Sequence, residues 1–241
     1  MKIDAFKSEY TFLVSGDSIS KGVVYDEARE RYAVTENNYV SLLQRVLKGI
    51  IYNASKFGNT IVKGLGRLPR EVESRNPDIV VIEFGGNDCD FNWPEVAQNP
   101  RFDHPPQTDY DLFQKLLTET IGDLNSKGVV PVLLTLPPLD AEKYLNWISH
   151  GDKEARKNIL LWLGSVTKIY WWQERYNAAI IKVAKETGTK WIDVRGAFLE
   201  HPDFLNMICV DGIHPNERGH KVIAEKILES IVPTYPFLLK A

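Results

Sequence analysis

Three short clusters in this 241-residue chain hold groups from which nucleophilic chemistry can be built: Ser15-Gly16-Asp17-Ser18, Gly85-Gly86-Asn87-Asp88 and Val210-Asp211-Gly212-Ile213-His214-Pro215. A serine hydroxyl is a poor nucleophile until a neighbouring base takes its proton. An imidazole suits that task because it exchanges its proton near neutrality. His214 follows Asp211 by three residues, on a loop where Gly212 and Pro215 suit a tight turn. Asp211 could accept from the far ring nitrogen, fixing the tautomer and stabilising the imidazolium. Asn87 offers amide N–H donors, which a carboxylate lacks. Each cluster alone is also ordinary turn sequence, and Asn216-Glu217 reads equally well as a helix cap with an acid in the first turn. The conjunction of the three carries the argument.

Groups this far apart in sequence need a scaffold that gathers them. Short apolar runs occupy 10–14, 50–53, 78–84, 129–134 and 191–194, with little polar alternation, as expected of parallel strands covered on both faces. Helical stripes lie between them. Tyr39, Leu42, Leu43, Val46 and Leu47 form one, and Leu112, Leu116, Leu117, Ile121 and Leu124 a second. Tyr176, Ala179, Ile180, Val183 and Ala184 form a third, and Val222, Ile223, Ile227 and Ile231 the last. Strand–helix alternation predicts a three-layer α/β/α fold with a five-stranded parallel sheet in the flavodoxin-like order 2-1-3-4-5. The serine cluster follows the first strand, the asparagine cluster the third, and the Asp-His cluster the fifth after an excursion. Ligands of such sheets bind beyond the carboxyl edge where strand order reverses, here between strands one and three.

Nothing divides the chain, so 1–241 reads as one domain with an insertion at about 139–169, far longer than the usual connection of about 2–6 residues. The insertion predicts short helices of its own. It carries Tyr144, Trp147 and Trp162 and runs into Tyr170-Trp171-Trp172. Trp147, Trp162 and Trp171 are candidates for contact with substrate. A lid or wall, a packed structural insertion and a surface between two copies of the chain all suit these aromatics, so a homo-oligomer stays open.

Gly16-Asp17-Ser18, Gly58 within Asn53-Ala54-Ser55-Lys56-Phe57-Gly58-Asn59-Thr60, Gly86-Asn87-Asp88 and Asp211-Gly212-Ile213-His214 resemble the four sequence blocks of SGNH/GDSL hydrolases, in that family's order and across nearly the whole chain. The resemblance implies a serine hydrolase that cleaves carboxylic esters through an acyl-enzyme. Ser18 would be the nucleophile, His214 its base and Asp211 the orienting acid. The backbone N–H groups of Ser18 and Gly58 and the side-chain amide of Asn87 would form the oxyanion hole. It implies no metal and no cofactor, and by family habit a short acyl or acetyl group, with acetylated carbohydrate as one such ester. A lysophospholipase or thioesterase acting on lipid acyl groups is the alternative. Ser55 stands where many members carry a further Gly, and the insertion exceeds that of minimal members. On residues alone, Asp17 and Asp88 read as loop-fixing acceptors, His104 as an exposed loop histidine and His220 as a surface cap or packing residue, while His150 and His201 have no partner that the sequence names.

Composition bounds the rest. A formal charge of −3 with no Lys/Arg run argues against a nucleic-acid partner. No apolar run approaches the roughly 20 residues of a membrane span. Residues 1–9 lack the apolar stretch of a secretory signal, from which a cytoplasmic location is expected. Cys89 and Cys209 are too few for a disulfide framework and read as small buried apolar residues. A metal-dependent phosphoesterase would need a further His cluster. A non-catalytic binding domain on the same fold remains a formal rival. The expected partner is a small-molecule ester.

Overall fold

Successive side chains along each apolar run point to opposite faces of the sheet, and both faces are covered, which is why the runs lack a polar side. The computed structural model describes residues 3 and 5–240; Met1, Lys2 and Asp4, part of the N-terminal stretch read above for a signal, lie outside the described residues. The first half comprises β1 (Tyr10–Gly16), α1 (Ser18–Lys21), β2 (Val23–Asp26), β3 (Arg31–Val34), α2 (Tyr39–Val46), β4 (Gly49–Asn53), α3 (Ile61–Leu65), α4 (Leu68–Arg75) and β5 (Ile79–Glu83). Then come α5 (Trp93–Gln98), α6 (Tyr110–Ser126), β6 (Val130–Leu134), α7 (Ala141–Ile148) and α8 (Lys153–Leu163). The chain continues with α9 (Thr167–Thr187), β7 (Lys190–Ile192), α10 (Val194–Leu199) and α11 (Glu217–Ile231).

The five-stranded sheet has the order β4-β1-β5-β6-β7, and every pairing in it is parallel, as expected from the strand–helix alternation. Phe12 is in register with Ile51 on one side and Ile79 on the other. Phe12 and Val14 join Val132, Leu134 and Ile192 in a core covered by α2 and α11. Leu13, Val80, Ile82 and Leu133 face the opposite core, covered by α3, α4, α6 and α9. The helix ends follow local chemistry. Asn38, Asp109, Asp140, Asp152 and Asn216 each accept hydrogen bonds from first-turn N–H groups, and α9 stops at left-handed Gly188.

Two features differ from the sequence reading. In α6 the buried stripe runs through Phe113, Leu117, Ile121 and Leu124, leaving Leu112 exposed, so the face is turned by one residue. The antiparallel hairpin β2–β3 was not anticipated; its Val24, Tyr25, Tyr32 and Ala33 are only half-buried. The segment between β6 and α9 folds into α7 and α8, which share a third apolar cluster with Phe91, Trp93 and Val96 at the α5 side. No helix among the described residues is long and apolar enough to cross a membrane.

His220 on α11 is fully buried, stacked on Tyr39 of α2 with ring centroids 6.2 Å apart, and neither ring nitrogen has a hydrogen-bond partner among the described residues. Burial, helped by nearby His214, lowers its pKa to about 4. The unfolded chain therefore takes up a proton near pH 6.5 that the folded chain refuses until about pH 4. Stability held above pH 6.5 is lost as pH falls across that window, by about 3 kcal/mol in all. Urea unfolding of wild type and His220→Gln at pH 7 and pH 4.5 checks this. The wild type should lose more stability than the variant, and parallel losses would show that His220 does not titrate in this way.

Candidate active site

The carboxyl edge of the sheet gathers the three polar clusters. Ser18 opens α1 immediately after β1, because Asp17 caps that short turn by accepting from the Ile19 N–H at 2.9 Å. The Asp-His cluster lies between the residues after α10 and the start of α11. Ser18 Oγ sits 2.8 Å from His214 Nε2, and His214 Nδ1 sits 2.5 Å from Asp211 Oδ2. Asp211 Oδ1 also accepts from the backbone N–H groups of Ile213 and His214, each at 3.1 Å. All three side chains are buried. Burial alone would raise the Asp211 carboxyl, but the hydrogen bonds and charge of His214 outweigh it and hold the group below its ordinary value. Asp211 thus stays ionised beside the imidazole. The arrangement can pass a proton from hydroxyl to ring and stabilise the ring's positive charge.

Gly212 lets this loop fit. Its φ is +81°, and a Cβ there would lie 2.4 Å from Tyr144 N and 2.6 Å from Asp140 O. The loop is also tied to the insertion by the Asp140 N–H, which donates to Gly212 O at 2.7 Å.

Asn87 Nδ2 donates to Asp17 Oδ2 at 3.2 Å and to Asn59 O at 3.1 Å. Both amide hydrogens are engaged, which holds the side chain in place at the edge of the cavity. Gly58 has φ +68° and nothing within 4 Å of an added Cβ. Its need for glycine is therefore one of backbone conformation in the free protein, with open space above it. The preceding Phe57 ring stacks on His214 at 6.0 Å. Asp88 Oδ1 fastens the loops by accepting from Ile61 N at 2.9 Å and Thr108 Oγ1 at 2.6 Å; burial raises its pKa to about 6.

Ser18, Asn87 and His214 line a cavity of about 60 Å³ whose apolar wall includes Phe91, Trp93, Leu139, Ile169 and Trp172. The insertion contributes Leu139 and Tyr144 to that wall. Of the candidate tryptophans, Trp147 is half-buried and meets Tyr25 and Tyr32, the latter 5.2 Å from the His214 ring. Trp162 packs behind the cavity on Phe91 and Trp93. Trp171 faces outward, 45 % exposed, beside the cations Lys168 and Arg175, and its neighbour Trp172 takes the place at the cavity. None of the three lines the cavity: Trp147 lies against Tyr25 and Tyr32, α8 turns Trp162 behind the cavity, and α9 turns Trp171 away from it.

Sequence reasoning missed several groups. Tyr32, from the hairpin, covers the His214 ring, and its hydroxyl is pushed up by burial and by Asp211. Asp90 Oδ1 accepts from Trp93 Nε1 and Tyr144 Oη, each at 2.7 Å, and burial raises it to about 6. Its signal was its place two residues after Asp88. Glu83, at the end of β5, accepts from Ser20 Oγ at 2.7 Å; burial and then the Asp17 charge raise it well above the carboxylate range. Cys89 and Cys209 are free and buried, and Cys89 touches the cavity. His104 bonds Asn99 O at 3.0 Å, while His150 and His201 are exposed.

This sheet order defines a three-layer α/β/α scaffold with the polar clusters at its carboxyl edge. The GDSL-like Lipase/Acylhydrolase family model matches residues 14–222, and the chain belongs to that family. A GDSL esterase/lipase of Oryza sativa subsp. japonica is 26 % identical over 152 residues, which is 63 % of this chain and 52 % of the rice protein. The chain spans about half the length of the curated plant relatives it matches. The crystal structure of a lipase/acylhydrolase from Enterococcus faecalis superposes with a TM-score of 0.66 at 23 % identity, covering 96 % of this chain and 97 % of that one. An acetylxylan esterase from Geobacillus stearothermophilus does so with a TM-score of 0.62 at 21 % identity over the full length of both chains. These two likenesses establish the fold.

The close approach at Gly212 makes one substitution informative. Gly212→Ala should lower stability by about 1–3 kcal/mol in urea unfolding, through a disfavoured φ and contact with α7 backbone. Unchanged stability would mean that the loop relaxes without cost.

Proposed function

We propose that the protein hydrolyses carboxylic esters of short acyl chain through an acyl-enzyme on Ser18. His214 takes the hydroxyl proton as Ser18 Oγ attacks the ester carbonyl carbon. The negative charge then forming on the carbonyl oxygen is met by the amide of Asn87 and the backbone N–H groups of Ser18 and Gly58. His214 returns the proton to the departing alcohol oxygen. Water, deprotonated by the same ring, cleaves the acyl-enzyme to a carboxylic acid and frees the serine.

The observation that carries this reading is the unbroken Ser18–His214–Asp211 hydrogen-bond chain at the wall of a cavity. The short-acyl part rests on volume. A volume of about 60 Å³ behind a mostly apolar wall suits an acetyl or slightly longer group better than a fatty chain. The named acetylxylan esterase of the same fold supports acetyl as the acyl group.

A panel of p-nitrophenyl esters from acetate to laurate tests both parts. Activity should be highest for acetate and fall steeply beyond butyrate; a maximum at laurate would overturn the short-acyl assignment. Ser18→Ala should lose up to about 10⁶ of turnover with the fold intact by circular dichroism. A fluorophosphonate should label Ser18 alone, and label elsewhere would move the nucleophile.

A further inference from the structure

Tyr32 and Phe57, whose rings pack on His214, also line a second and open groove of about 640 Å³ that shares no lining residue with the acyl cavity. The groove has a marked sign of charge. Lys21, Lys56, Arg67 and Arg75 line it, and Glu71 is its one lining carboxylate, 4.0 Å from Arg75 Nε. The chain as a whole carries −3. Arg75 is held in place with its guanidinium 4.4 Å above the Tyr52 ring. Lys21, Lys56 and Arg67 make no side-chain hydrogen bond or ion pair within 4.0 Å with any described residue. A second feature is independent of charge. Ser55 in the lining is 2 % exposed, and its hydroxyl has no hydrogen-bond partner among the described residues. A buried hydroxyl left without a partner is costly, and this one belongs to a residue in the groove wall.

The position of the groove assigns it to one part of an ester. Lys21 closes the four-residue helix that Ser18 opens, and Lys56 and Phe57 precede Gly58 directly. With a carbonyl at Ser18 Oγ and the acyl group in the small cavity, the alcohol portion must leave by another route, and the rings of Tyr32 and Phe57 lead into the groove. We infer that this groove binds the alcohol portion of the substrate and that this portion carries an anion, a carboxylate or a phosphate. The inference rests on the ester-hydrolase reading above. Partnerless cations beside an aromatic floor attract such a group and hold its carbon skeleton at the same time.

The test uses acetyl esters that differ in the charge of the alcohol: 4-acetoxybenzoate and 6-acetoxyhexanoate, each beside its neutral amide, and 4-acetoxyphenyl phosphate. Wild type should prefer at least one anionic ester over its neutral partner in kcat/KM, through KM, and added salt should shrink the preference. The double variant Lys56→Gln/Arg67→Gln should lose about fivefold or more of that preference, as expected for removing two exposed charge contacts, while turnover of the amides stays unchanged. Lys56→Arg should keep the preference. The carboxylate and phosphate arms identify which anion is favoured. Equal rates for charged and neutral esters, or a preference untouched by the double variant, would overturn the inference while leaving the hydrolase reading in place. Calorimetric binding of 4-hydroxybenzoate and 6-hydroxyhexanoate to Ser18→Ala, with and without the double substitution, separates the two in the other direction. Charge-dependent binding without ester turnover would sink the hydrolase reading and keep the anion site, and absence of both would remove the two together.

Discussion

One hydrogen bond, 2.8 Å between Ser18 Oγ and His214 Nε2, joins residues 196 positions apart, and much of the architecture can be understood as the means of holding it. Neither group lies in a regular element long enough to fix it alone. Ser18 begins a helix of one turn, and His214 rides a loop between α10 and α11. Their alignment is imposed by the sheet, whose parallel strands bring loop after loop to one edge, and by buried acceptors that lock those loops together. Asp17 takes bonds from Ile19 and Asn87, Asp88 from Ile61 and Thr108, and Asp211 from Ile213 and His214. A backbone N–H donates to each of the three carboxyls, which is how buried acidic groups are tolerated, although Asp88 Oδ2 has no partner among the described residues.

The same edge divides the surroundings of the imidazole into two environments. On one side lies a small apolar cavity, walled partly by the insertion after β6. On the other, Tyr32 and Phe57, which pack on the ring, line an open and cationic groove. The contrast in volume and charge follows from which elements supply each wall. Packed helices of the third cluster close the first, whereas a two-stranded hairpin and the turns around β4 and α4 leave the second open to solvent.

What the sequence disclosed depended on how local its cause was. The central strands were legible because burial on both faces leaves uninterrupted apolar runs such as 79–82, and the strand order followed from alternation with helices. The clusters around Ser18, Asn87 and His214 were legible because few residue types can do their chemistry. The hairpin escaped notice because its strands are four residues each and half-exposed, so that no strong period marks them. Phase errors of one residue explain two further differences. Leu112 and Phe113, and likewise Trp171 and Trp172, are apolar neighbours about 100° apart on a helix, and only tertiary contacts decide which one faces inward. Tyr32 beside His214 and Glu83 beside Asp17 are products of the assembled fold and have no local signature at all.

The 2.7 Å bond from the Asp140 N–H to Gly212 O has a mechanical meaning. It clamps the residue that caps the insertion's leading helix to the backbone of the imidazole loop, where the space is too tight for any side chain at position 212. The cavity wall and the ring therefore travel as one piece. An outward swing of α7 would strain that contact, so widening the cavity and keeping the 2.8 Å Ser18–His214 bond are opposed demands on a single peptide contact.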